Sequence, residues 1–171
     1  MKEVFERFAD YNAQANAAML GILDALPEGK VDENAGLYFG GLHGTVAHLA
    51  WAGALWLKRF STFGDWAACR AWADADLAAL KDGAKADWGK ARSLLAGTGE
   101  GLKELAAQIA PADYPRRVRY TTTDGQELER TLWHLIMQVL NHGTHHRGEI
   151  SATLDRMGVE NDFNSFVSYV P

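Results

Sequence analysis

The stretch NHGTHHRGEI, residues 141–150, holds three of the chain's six histidines, His142, His145 and His146, within five positions. A helix turns roughly 100° per residue, so His142 and His146, four apart, face nearly the same way. His145 falls about 60° to the other side of His142. Two imidazoles side by side on an inward face can share a Zn or Ni ion, because coordination to nitrogen at about 2 Å suits that spacing. Two ligands seldom complete a site, and His48 is the best candidate for a third. It lies within TVAHLAWAGALWL, residues 45–57, in line with Thr45, Ala52 and Leu55, where an unpaired imidazole would be costly. Three histidines from two helices, with the remaining positions left to water or substrate, describe an open, catalytic type of site.

The same residues also fit blander roles. An HxxxH pair on a helix is common among core and surface histidines that hydrogen-bond locally. The arrangement is not the H-E-x-x-H of zinc peptidases, because position 143 is glycine and the general-base carboxylate is missing. Glu149, one turn after His146, can orient that imidazole from outside, serve as a fourth ligand, or pair with a neighbouring helix; the orienting role is preferred. His145 and Arg147 are further candidates for such outer support. Arg147 or Arg59 could instead hold an anionic substrate group or a structural ion pair. His43 and His134 read as hydrogen-bonding residues near helix surfaces. Cys69 lacks an adjacent histidine or helix start that would activate it as a nucleophile.

These residues need helices to hold them. Apolar residues at helical spacing predict one helix over 3–26, ended by Pro27 and Gly29, and a second over 41–60 after the polar linker PEGKVDENAG. Residues 63–83 read as a loop or short helix. A third helix is expected over 85–110, with a kink or break near Gly97, Gly99 and Gly101. The passage YPRRVRYTTTDGQELER is strand-like around Asp124-Gly125, a two-residue hairpin turn signal. The last helix should run from about 130 to 157 and stop at Gly158. The expected architecture is an all-α four-helix bundle with a short β-hairpin before the last helix, in a single domain over 1–171.

Composition narrows the function classes. The net charge of −5 argues against nucleic acid as a partner, and Arg116, Arg117 and Arg119 form only a short basic run, read as a solvated face of the expected hairpin. The apolar segment 45–57 is too short to span a bilayer, so no membrane association is expected. With Cys69 as the only cysteine, no intramolecular disulfide can form. Acidic residues near the N-terminus stand where a signal peptide would be apolar, and a cytoplasmic location is expected.

Several segments together resemble the DinB family, whose name is shared by accident with a DNA polymerase. LNHGTHHRGEISATLDRMG is similar to its C-terminal signature, N-H-x-T-H-H-R-G-[QE] followed by an apolar helix end. GTVAHLAWAGALWLKRF resembles its second-helix motif, ADYNAQANAAML its first-helix Y-N-x-x-A-N opening, and Tyr120 to Gly125 its Y-x-x-x-x-G. The resemblance spans nearly the whole chain. It implies a four-helix bundle, often a homodimer, holding a divalent metal, Zn or Ni, on His48, His142 and His146. His145 stands where other branches carry an aromatic residue, and Glu149 replaces the usual glutamine. Characterised relatives in the wider superfamily are thiol-dependent transferases and isomerases. By analogy, the expected function is a metal-dependent enzyme that activates a low-molecular-weight thiol, or water, against a small-molecule substrate. The alternatives are a non-catalytic, stress-related metal-binding or partner-binding module, for which Glu149 would close the site, and a bundle whose histidines are merely core polar groups.

Overall fold

A computed structural model describes residues 1–169. Six α-helices are formed among these residues: α1 (Lys2–Asp24), α2 (Leu42–Phe60), α3 (Ala67–Ala73), α4 (Leu77–Ala86), α5 (Trp88–Gln108) and α6 (Leu132–Arg156). Strands β1 (Arg117–Thr121) and β2 (Glu127–Thr131) make a two-stranded antiparallel sheet ahead of α6. The protein is thus mostly helical. Helices α1 and α2 each pack against both α5 and α6, while α3 and α4 cover α2 and α5. None of the described helices is long and apolar enough to cross a membrane.

The four long helices begin and end close to where their apolar periodicity does. Asp76 caps α4 by accepting from the Ala78 and Ala79 amides, and Asp87 caps α5 through the Lys90 amide. Gly158, at φ +72°, ends α6 in the left-handed conformation that favours glycine. Residues 63–83, expected to be a loop or one short helix, instead contain α3 and most of α4. The Asp124-Gly125 turn is longer than two residues: the Thr122 amide donates to the Gln126 carbonyl, closing residues 123–125.

The expected break in the third helix does not occur. Helix α5 runs unbroken through Gly97, Gly99 and Gly101. A methyl group at Gly101 would lie 2.9 Å from a Leu57 methyl, and one at Gly99 would sit against Ala13 and Asn16. These two glycines allow α5 to approach its neighbours closely, and the packing gained offsets their weak helix propensity.

The apolar core falls into two clusters at opposite ends of the long helices. One gathers Phe5, Leu57, Phe60, Leu102, Leu105, Leu135 and Val139. The other gathers Met19, Leu23, Leu42, Val46, Leu95, Ile150 and Leu154. Between them, α1 contributes Asn12 and Asn16, α5 Thr98, and α6 His146 and Arg147, all buried. The chain therefore places a polar layer at mid-height of its core. Buried polar groups persist only where they are hydrogen-bonded or serve a ligand, so this layer is where a site is to be sought.

Candidate metal centre

His142 and His146 project from the same face of α6, one turn apart, and His48 meets them from α2. The Nε2 atom of His142 lies 3.1 Å from Nε2 of His48 and 3.1 Å from Nε2 of His146. One ring nitrogen from each of the three histidines lies within 4.8 Å of the other two. Nitrogens bound at about 2.0–2.1 Å to one ion stand roughly 2.8–3.4 Å apart, from octahedral to tetrahedral angles, so the two short separations match neighbouring ligands of a single cation. Three ring nitrogens turned on one point repel unless a proton or cation lies among them.

A second proton, which would charge a ring, is disfavoured at His48 and His142, although a neutral ring can share the one N–H it carries. Burial, and after it the nearby His142 and His146 rings, lower the His48 pKa to about 4. Burial, then His146 and His145, lower that of His142 to about 4 as well. Both imidazoles are therefore neutral at pH 7, the state that ligates metal. Glu149 sits outside the triad. Its Oε2 accepts from His146 Nδ1 at 2.7 Å, which leaves the Nε2 lone pair of that ring pointing at the other two histidines. The other carboxylate oxygen lies 3.5 Å from Nε2 of His145, whose side chain is largely exposed.

The loop between α1 and α2, a polar linker by sequence, supplies a fourth ring. Phe39 stacks on His48 with centroids 3.9 Å apart and meets His146 edge-on. Two glycines permit this: a methyl at Gly41 would collide with the Glu33 carbonyl and one at Gly44 with that of Phe39. The loop backbone thus lies directly on the first turn of α2. Its Leu37–Gly40 bridge holds Phe39 over the histidines.

Beside Phe39 opens a cleft of about 860 Å³ that reaches the triad at His48. Trp51 lies on its α2 wall, and Lys81 and Lys85 of α4 line it as well. His43 supports that wall. Buried on α2, it bonds Asp32 through Nδ1 at 2.6 Å and the Ala84 carbonyl of α4 through Nε2 at 2.8 Å. Sequence reasoning did not single out Phe39, Trp51, Lys81 or Lys85. The one local signal was the glycine spacing Gly40-Gly41-x-x-Gly44, which marks close backbone approach.

The remaining candidates lie elsewhere. Arg147 turns away from the cleft and is fully buried against α1, where Nη1 donates to Asn12 Oδ1 at 2.7 Å and Asn16 Oδ1 at 2.9 Å. Its Nη2 reaches Thr144 Oγ1, and its guanidinium lies over the Tyr11 ring. Neither a substrate anchor nor an ion pair describes it; it ties α6 to α1. Arg59 is likewise unpaired with any carboxylate among the described residues. It donates to the Thr121 carbonyl and lies over Trp56 and Tyr120, joining the end of α2 to the hairpin. Cys69 is buried, and burial pushes its thiol up to about 12, far from a nucleophile's range. His134 is exposed and rests edge-on against Trp133.

A mostly helical protein with three convergent histidines from two helices is the class this fold and site define. The chain belongs to the DinB family, whose model matches residues 1–169. No curated protein and no solved structure matches the chain.

Proposed function

We propose that the protein is a metal-dependent enzyme in which His48, His142 and His146 hold one divalent ion, Zn or Ni, beside a substrate cleft. Helices α1, α2, α5 and α6 are read as the four helices of a DinB-type bundle forming a single domain over residues 1–171. The observation that carries the proposal is the pair of 3.1 Å Nε2 separations about His142, with burial keeping His48 and His142 uncharged. A bound divalent ion would supply a Lewis acid that lowers the pKa of a coordinated thiol or water and so provides a nucleophile at neutral pH.

The chain's own residues support such chemistry in distinct ways. Glu149 fixes the tautomer of His146 and raises its basicity through the Nδ1 hydrogen bond. Phe39 covers one face of His48, restricting its rotation and excluding water there. The cleft gives a small molecule access to the site. A non-catalytic module with a closed site would need Glu149 on the Nε2 side of the triad. Its place on Nδ1 of His146 supports the open reading instead. A homodimeric assembly and a cytoplasmic location complete the proposal by family resemblance alone.

Metal analysis of untagged protein tests the first step. About one equivalent of ion is expected, lost in His142→Ala and His146→Ala and retained in His43→Ala; the reverse pattern overturns the ligand assignment. Mixing the loaded protein with bacillithiol, mycothiol, glutathione or coenzyme A and monobromobimane tests the second. Metal-dependent consumption of one thiol is expected for a transferase, whereas no acceleration with any of them favours hydrolysis.

A further inference from the structure

The cleft beside His48 has a chemical character of its own. Its aromatic side is formed by Tyr38 and Phe39 on the loop and Trp51 on α2, and its charged side by Lys81 and Lys85 on α4. Tyr38 is 90% exposed at the tip of the loop and touches Phe39 edge-on. The two lysines are four residues apart and so share one face of α4. Among the described residues, neither forms an ion pair, although the chain carries an excess of acidic groups. The one carboxylate lining the cleft, Asp32, has Oδ1 engaged by His43.

We propose that this cleft binds a small planar aromatic anion, its ring against Phe39, Tyr38 and Trp51 and its charge on Lys81 and Lys85. The proposal names a substrate class for the site read above as a metal centre, and rests on that reading only for what happens after binding. Three features fix the geometry. Lys81 Nζ lies 4.7 Å from the Trp51 ring centroid, and that ring lies 6.3 Å from His48. Trp51 thus stands within one ring's reach of both the lysine and the histidine, so a fused bicyclic ring laid along it meets both. The Trp51 indole is fixed by its Nε1 hydrogen bond to the Leu77 carbonyl, and α4 is fixed by His43 on Ala84. Both walls are thus held in place before anything binds, which lowers the entropic cost of recognition. Lysines act as point charges rather than planar forks, so the site should select for charge and ring shape, not for one kind of acid group.

Calorimetric titration of the metal-stripped protein with 2-naphthoate, 2-naphthylmethanol and 2-naphthylmethylammonium tests this directly. The three probes share a ring and differ in charge. At low salt the anion should bind about tenfold more tightly than the alcohol, with the cation weakest, and added salt should narrow the gap. In the Lys81→Gln/Lys85→Gln variant the anion and alcohol should agree within about twofold. Both lysines are exposed, and circular dichroism is the check that the variant folds; should it not, the single variants are expected to show intermediate losses. Equal affinities for the three probes in the wild-type protein overturn the proposal. So does a preference that survives in the lysine variants, or no binding of naphthoate. Metal content measured on the same preparations separates the two readings. Charge-selective binding by a protein that never takes up metal would leave this inference standing and end the metalloenzyme reading. The converse result would do the opposite.

Discussion

Burying a guanidinium without a carboxylate leaves its desolvation to be met by neutral oxygens, and at Arg147 these come from Asn12, Asn16 and Thr144, with the Tyr11 ring beneath. Removing the cation strands both asparagine oxygens inside the core. Arg147→Ala should therefore lower unfolding free energy by about 3 kcal/mol in urea titrations, and Arg147→Lys should recover only part of it because one ammonium cannot copy the fork. A loss under about 0.5 kcal/mol would show that these bonds contribute little. Cys69 offers a second test at this scale. With its thiol pushed up to about 12 by burial, it should resist alkylation at pH 8 in the native protein and react fully once unfolded. The triad was legible in sequence because histidine type and four-residue spacing carry the chemistry locally. The role of Arg147 was not, since its two asparagine partners lie more than a hundred residues away on α1. Nor were Lys81 and Lys85, which line the cleft only because α4 packs across α2.

At the scale of elements, α5 shows why a pattern of weak helix formers misled. Propensity counts the cost of each glycine within its own helix, whereas the benefit comes from neighbours that sequence does not display. The two effects separate by position. Gly97 is exposed with open space around it, so Gly97→Ala should stabilise the protein by about 0.5–1 kcal/mol. Gly53 on α2 faces the same helix, where an added methyl would lie 2.8 Å from Thr98. Gly53→Ala should destabilise by about 1–3 kcal/mol through overpacking. Thermal melts of the pair should move in opposite directions; shifts of the same sign would mean that close approach of α2 and α5 is not what these glycines serve. Helix limits were readable because caps and apolar periodicity are local. The course of the α1–α2 loop was not, because it is set by carbonyl contacts with Gly41 and Gly44.

Across the whole molecule, the polar layer divides the core and leaves the histidines in a partly dry setting whose stability depends on pH. In the metal-stripped protein, His48 and His142 have folded pKa values of about 4, against 6.5 for an unperturbed imidazole. Between those values the unfolded chain takes up protons that the folded chain does not. The stability these rings contribute is therefore complete above pH 6.5 and is lost progressively as pH falls toward 4. Bound metal should act in the same direction, since only neutral rings ligate it and any ion preferring the folded state raises stability by mass action. Melting temperatures of the stripped protein should fall between pH 6.5 and 4 more steeply than those of a His48→Gln/His142→Gln variant. Adding one equivalent of Zn or Ni at pH 7 should raise the wild-type melting temperature and leave that of the variant unchanged. If both proteins respond alike to acid and to metal, the three rings do not form a common site, and the polar layer is there only to join the two halves of the core.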